Sequence, residues 1–312
     1  MIERHIATLL ALEAIDRNGS FTAAAQELGV SQSSVSMKIV RLERDLKVRL
    51  VERTTRSVVL SQEGKMLVEA SRSAIGELEN ALVDVQNLQK EGVLVVEVLS
   101  SLASKWLIPR LGSFHSQNSD VTINVKVQDD QTEPLSADSD LSLRIASSAP
   151  PGIHSEFLTY EAVFPVCSPE LAREFQGMSL SEAAKRVPLL DDRMALEDGS
   201  GCNWQEQFPS VAVPTEVSGG QRLVFDRSDL ALQAAVSGQG LAIGRTFLCL
   251  DEIESGALVA PFGVTSRLKW GYYLVSRKSL HDWPKFLRFR AWLMDELQKI
   301  HEQAKTLKIW YD

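Results

Sequence analysis

A chain of 312 residues, 44% hydrophobic and 24% charged, has apolar material for more than one buried core, which excludes a disordered chain and suits two or three domains. Its net charge of −8 excludes a protein that coats nucleic acid over its whole surface. Residues 31–56 nevertheless carry seven Lys/Arg against three acids, a local +4 that leaves −12 for the rest, as a confined contact with nucleic acid requires.

In chain order, Ile2, Ile6, Leu9, Leu10 and Ile15 stand at helical spacing. The interruptions at Glu3, Glu13 and Asp16 make this an amphipathic helix rather than a signal peptide. Asn18-Gly19 stops it, and Ser20 is placed to cap a helix from Phe21 to Leu28 with a small-residue run, Ala23 to Ala25. Gly29 supplies a turn, and Ser31 caps a third helix to about Asp45, with Val35, Ile39, Leu42 and Leu46 on one face. The stretch from Arg53 to Leu60 suits a two-stranded wing. A long helix from Gln62 to about Lys90 places Leu67, Ser71, Ala74, Leu78, Ala81, Val85 and Leu88 at alternating steps of four and three, the seam of a coiled coil. One helix cannot bury such a seam, so a second copy of the chain is the expected partner; packing on its own chain is the alternative.

After Glu91-Gly92 the texture alternates between strands and helices, which predicts open sheets covered by helices. Strands are expected at Gly92–Ser100, Val121–Asp129, Leu141–Ile145, Ala162–Cys167, Leu241–Gly244 and Tyr272–Ser276. Helices are expected at Ser104–Gln117, after Ser168-Pro169, at Ser228–Ser237 and from Pro284 to about Ala304.

Two short helices joined at a glycine form a helix-turn-helix. Its second helix must be polar at its N-terminal outer face to enter the major groove. Thr22, Ser31, Gln32, Ser33, Ser34, Met37, Lys38 and Arg41 are the candidates. Gln pairs with adenine and Ser reads bases or phosphates, while Lys38, Arg41, Arg53 and Arg56 mostly hold phosphates.

The runs Ser20-Phe-Thr-Ala-Ala-Ala-Gln-Glu-Leu28 and Val30-Ser-Gln-Ser-Ser-Val-Ser36, with Ile39, Leu42-Glu43, Leu46, Leu50 and Arg53, resemble the LysR-type transcriptional regulators. Ser101 to Arg110, Phe164 to Pro169 and Ala234 to Ala242 look like the branch that includes the glycine-cleavage and β-lactamase regulators. The resemblance covers nearly the whole chain; Leu307–Asp312 has no counterpart, and the role of residues 305–312 stays open. It implies a multidomain α and α/β protein. A winged helix-turn-helix would span residues 1–61 and a linker and dimerisation helix 62–91. A periplasmic-binding-protein-like effector domain would follow at 92–312, its lobe one being 92–163 plus 269–312 and its lobe two 164–268. The chain would cross between lobes near Pro165 and at Arg267–Gly271. The implied partners are double-stranded DNA at an interrupted palindrome, a second copy and then a tetramer, and RNA polymerase.

Ligands of open α/β sheets sit beyond the carboxyl ends of strands. Ser100 and Ser101, Gln128 and Asp129, Arg144, Trp204, Phe225 and Asp226, and Tyr272 stand at such places. Ser101, Gln128, Trp204, Asp226 and Tyr272 match cleft positions of similar regulators. Each has a simpler reading: Ser101 or Asp226 as a helix cap, Trp204 as core, Arg144 paired within its own lobe. Ser101 and Arg144 favour an amino or organic acid, whereas Asp129, Asp130 and Asp226 favour an amine such as a polyamine. The Trp-Pro-Gly that this branch carries after the third strand is here Ala149-Pro-Pro-Gly-Ile153, so the effector's identity does not carry over.

The competing class is a cytosolic small-molecule-binding protein or an enzyme on the same α/β domain. The five histidines are solitary in sequence, and there is no GxSxG elbow or P-loop. Gly238-Gln-Gly240 follows a helix and precedes a strand, the reverse of a dinucleotide site. No catalysis, metal or cofactor is expected. Cys167, Cys202 and Cys249 form no CxxC, and a thiol switch at Cys202 lacks a second thiol nearby. With no run near the ~18 apolar residues of a membrane span, the protein is expected in the cytoplasm.

Overall fold

The computed structural model describes residues 2–53, 58–87, 92–130, 134–136, 138–211 and 222–310. They form two compact units, Met1–Asn87 and Leu88–Asp312.

The first unit contains α1 (Ile2–Asn18), α2 (Phe21–Glu27), α3 (Gln32–Leu46), an antiparallel pair β1 (Val51–Arg53) and β2 (Val58–Leu60), and α4 (Gln62–Asn87). Ser20 Oγ accepts from the N–H groups of Thr22 and Ala23 and so opens α2. Ala24 and Ala25 are buried, and their small side chains let the neighbouring helices approach. Gly29 takes the left-handed turn at φ +65°. Leu12, Ile15, Val35, Ile39 and Leu50 are fully buried and make the core.

The seam expected on α4 divides. Leu67 packs partly on this unit's own core. Ser71 is buried with its hydroxyl on Leu67 O, 2.6 Å away. Next to it, Arg72 ties α4 to α1 through Glu13 (3.3 Å) and Asp16 (2.9 Å). Ala74 and Leu78 are exposed, Leu78 by 62%. The side chains of Ala81 and Val85, and Leu88 itself, lie outside the described residues.

The second unit begins with β3 (Val93–Val98) and a helical stretch made of α5 (Ser100–Leu102), a π segment (Ala103–Leu107) and α6 (Ile108–Gln117). This stretch starts four residues earlier than the sequence suggests. The N–H of Ile108 reaches back five residues to Ala103 O; this wider turn accommodates Pro109, which has no N–H to give. Then come β4 (Thr122–Val127), β5 (Leu141–Ala146), β6 (His154–Val166), α7 (Pro169–Glu174), α8 (Leu180–Ala183), β7 (Leu189–Asp192), α9 (Arg193–Glu197), α10 (Trp204–Gln207) and β8 (Arg222–Phe225). The unit ends with α11 (Ser228–Val236), β9 (Leu241–Arg245), α12 (Thr246–Glu254), β10 (Ser266–Ser276) and α13 (Pro284–Thr306). Beyond α13 the chain turns at Lys308 (φ +57°). It buries Ile309 and sets the Trp310 ring 4.6 Å from that of His301, so the described part of the tail belongs to the core.

Among the described residues, eight strands form one sheet in the order β4-β3-β5-β10-β6-β9-β7-β8. β3, β4 and β5 are mutually parallel, as are β7, β8 and β9, while β10 and β6 are antiparallel to their neighbours. β6 is longer than expected because its charged residues are paired, Glu156 with Arg290 and Glu161 with Arg245, and β10 begins six residues earlier than expected. The register of β10 against β6 breaks between Arg267 and Gly271. The last residues of β6 pair with β9, so these two strands serve both halves and turn the carboxyl ends of both parallel sets toward their middle.

Candidate nucleic-acid interface and ligand cleft

Ser31 Oγ accepts from the N–H of Ser34 (3.2 Å) and lies 3.0 Å from Ser33 Oγ, so this hydroxyl serves as the helix cap. Gln32, Ser33, Met37 and Arg41 are exposed on the outer face of α3, with Ser34 and Lys38 half-buried beside them and Thr22 exposed at the start of α2. The structure thus brings the candidates to one face opposite Val35, Ile39 and Leu42. The Arg53 side chain and Arg56 lie outside the described residues. Glu43 has a positioning role that the helix pattern did not reveal. Its Oε1 accepts from the N–H groups of Leu50 (2.8 Å) and Val51 (3.2 Å), fastening β1 to α3.

In the second unit a cavity of about 40 Å³ opens at the carboxyl ends of the strands. Ser100, Ser101 and Asp129 line it after β3 and β4, and Tyr272 from the middle of β10. Asp129 Oδ1 accepts from the N–H of Ser100 at 2.9 Å.

The other effector candidates lie elsewhere. Gln128 is half-buried outside the lining. Ile145 faces the cavity from β5, so alternation turns its neighbour Arg144 to the other face. There burial lowers the Arg144 pKa while the charges of Glu97 and Asp130 raise it. Trp204 is core, 1% exposed and 5.7 Å from the Phe208 ring. Phe225 packs on the main core. Asp226 points outward to Arg193 Nε at 3.3 Å and does not cap α11, whose N-cap is Arg227.

Five polar groups that sequence reasoning missed complete the lining: Asp192, Asp198, Arg227, Ser228 and Arg245. Arg245 ends β9 and its Nε donates to the fully buried Glu161 at 2.7 Å, with Nη2 3.2 Å from the Tyr272 hydroxyl. That hydroxyl donates to Glu161 Oε2 at 3.0 Å. The carboxylate outweighs desolvation and raises Arg245 well above its ordinary value. Burial foremost, with Glu161 beside it, raises Tyr272 as well, so Tyr272 stays a neutral phenol. Among the described residues the hydrogen bonds of Arg245 are made by Nε and Nη2, and none by Nη1. Asp192 accepts from the Ser228 hydroxyl in a short contact, and burial raises its carboxyl above the usual range. The cavity therefore presents a cation and a desolvated acid to one small space.

Cys202 is buried and its thiol is pushed up to about 12 by desolvation, which leaves it a thiol at neutral pH. His154 and His281, solitary in sequence, meet with ring centroids 4.1 Å apart. Among the described residues no three His, Cys, Asp or Glu are grouped to hold a metal. Among the same residues no helix is long and apolar enough to cross a membrane.

Residues 6–65 match the family model of the bacterial regulatory helix-turn-helix protein of the lysR family, and residues 87–298 match the LysR substrate binding domain. The chain is 34% identical over 288 residues to the HTH-type transcriptional regulator DsdC of Escherichia coli strain K12, covering 92% of both chains. It is 32% identical over 286 residues to the glycine cleavage system transcriptional activator of the same strain, again covering 92% of both. Its fold is shared with the effector domain of AmpR from Pseudomonas aeruginosa (TM-score 0.54, 21% identity, 69% of this chain and 98% of that one). It is shared along 94% of this chain with CrgA, a LysR-type regulator from Neisseria meningitidis (TM-score 0.51, 20% identity, 98% of that chain). With both family models matched in order and relatives aligned over nearly its whole length, this chain belongs to the LysR-type transcriptional regulators, which join a DNA-binding helix-turn-helix domain to an effector-binding domain.

Proposed function

We propose that the effector is a small zwitterion of amino-acid size, bound in the cavity between Arg245 and Asp192, and that the protein answers it by altering transcription. The observation that carries this reading is the pairing of opposite charges in so small a space. A carboxylate suits Arg245 Nη1 and the Ser101 hydroxyl. An ammonium suits Asp192, a half-buried carboxylate that already accepts from the Ser228 hydroxyl and, as the cap of α9, from the N–H of Met194 at 3.0 Å. A polyamine accounts for Asp129, Asp192 and Asp198 but leaves Arg245 unmatched. The reading needs no cofactor and no catalysis, and it places the protein in the cytoplasm, where its DNA is.

The test is a thermal-shift panel of amino acids, organic acids and polyamines on the full chain. Amino acids should raise the melting temperature, and a response confined to polyamines would overturn the zwitterion. Asp192→Asn should abolish that shift. The folded pKa of Asp192 is raised, so its stability contribution is full below the ordinary carboxylate pKa and lost as pH rises through the folded value. At neutral pH the ligand-free variant should accordingly melt no lower than the parent. An Asp192→Asn variant that melts lower and still responds would remove Asp192 from the site.

On DNA, α3 enters the major groove of each half of an interrupted palindrome, and the dimer is held by the outer part of α4. Two dimers joining into a tetramer, and contact with RNA polymerase, belong to the same reading. Lys38→Ala should flatten the dependence of binding on salt by about one phosphate contact, a change of roughly 0.9 in the log–log slope. An unchanged slope assigns Lys38 no phosphate. Leu78→Asp should convert dimers to monomers in sedimentation, because the exposed Leu78 would carry a charge into the seam. Dimers that persist would move the interface elsewhere.

A further inference from the structure

Asp229, in the first turn of α11, reaches across the cleft to the helical stretch that follows β3. Its Oδ1 accepts from the Ser101 hydroxyl at 3.0 Å and its Oδ2 from the Ser104 hydroxyl at 3.3 Å. Arg227 Nε and Nη2 donate to the same two oxygens at 3.1 and 2.9 Å. The N–H of Asp229 in turn lies 3.3 Å from Ser101 Oγ. Asp229 is 8% exposed, and Ser101 and Arg227 both line the cavity. Two groups suited to a ligand's carboxylate are thus already engaged by a carboxylate of the protein itself.

We infer that Asp229 is the built-in occupant of the effector's anion subsite, and that an effector carboxylate binds by displacing it from Ser101. This rests on the reading of the cavity as the effector site. Displacement uncouples the start of α11 from the helical stretch of the first half. The other links between the halves stay in place: Lys105 with Glu252 at 2.7 Å, Arg110 with Asp251 at 2.6 Å, and the Trp106 ring against Phe247. The latch differs in kind from those links, two of which are ion pairs: its donors across the cleft are neutral hydroxyls, so an incoming carboxylate can take the place of Asp229 on Ser101 without separating a cation from its partner. The signal is therefore a local release at α11 rather than a wholesale opening of the halves. Asp229 also sets specificity, because a ligand without an anionic end cannot replace it.

The experiment compares the parent with Asp229→Ala and the isosteric Asp229→Asn in the full chain. Without ligand, hydrogen exchange at residues 99–104 and 228–231 should speed up at least about tenfold in Asp229→Ala, which removes the charged acceptor of both the Ser101 and the Ser104 hydroxyl. Exchange unchanged in both variants overturns the latch. With sodium acetate as a bare carboxylate, titrated against sodium chloride at equal ionic strength, half-saturation should fall about tenfold in Asp229→Ala. Equal half-saturation in parent and variant, or no acetate response in either, overturns displacement. A parent silent to the whole amino-acid panel sinks the effector reading instead, and the ligand-free exchange still decides the latch.

Discussion

Gly64→Ala should destabilise the DNA-binding unit by roughly 2–4 kcal/mol, even though alanine is the better helix former by about 1 kcal/mol. The two effects oppose each other, and geometry decides between them. A Cβ at Gly64 would stand 2.2 Å from Leu50 O and 3.2 Å from its carbonyl carbon. Backbone cannot rotate away as a side chain can. That carbonyl also accepts the N–H of Ser61 at 3.0 Å, and the Ser61 hydroxyl caps α4 through the N–H of Gly64 at 3.0 Å. Relief therefore means pushing the start of α4 off β1, which Glu43 holds against α3. Specific DNA binding at moderate salt should fall with stability. Gly76→Ala is the control in the same helix, where a Cβ meets nothing within 4 Å. It should stabilise by up to about 1 kcal/mol. A urea midpoint that rises in Gly64→Ala as it does in Gly76→Ala would show that helix propensity alone governs α4.

The helix-turn-helix is legible in sequence because its determinants are local. Ser20 and Ser31 cap within three residues, Gly29 turns in place, and the apolar face of α3 repeats every three or four positions. The cleft is legible only in part because its determinants are distant. Glu161 lies 84 positions from Arg245 and 111 from Tyr272, and in sequence it stands just outside the strand expected at Ala162–Cys167, whereas β6 runs from His154 to Val166 and buries it. Asp192 ends a four-residue strand, too short for alternation to register, and pattern alone does not single it out. Arg144 and Ile145 differ by one place on β5, and that single step decides which of them faces the cavity. The seam on α4 shows the same limit from the other side. The repeat is real, but burial of Ser71 and the packing of Leu67 show its first turns given to the chain's own core, which periodicity alone cannot reveal.

Glu161→Ala should cost the effector-binding unit roughly 3–5 kcal/mol, the range for removing one partner of a buried ion pair. Glu161 is fully buried and accepts from Arg245, Tyr272 and the N–H of Phe247. Its loss leaves a desolvated guanidinium and a phenol without their acceptor, at the junction of β6, β9 and β10 that both halves share. For a unit of this size the melting temperature should drop by about 6–20 °C. The pair itself is a poor source of stability, because two charges were taken out of water to make it. The triple change Glu161→Leu, Arg245→Met and Tyr272→Phe removes every member at once and should recover most of the loss, while abolishing the response to amino acids because Arg245 is gone. If the triple variant melts as low as Glu161→Ala, the ion pair is a structural necessity of the shared sheet. If it melts near the parent, the pair is there to hold Arg245 Nη1 toward the cavity, and the desolvation of two charges serves recognition rather than stability.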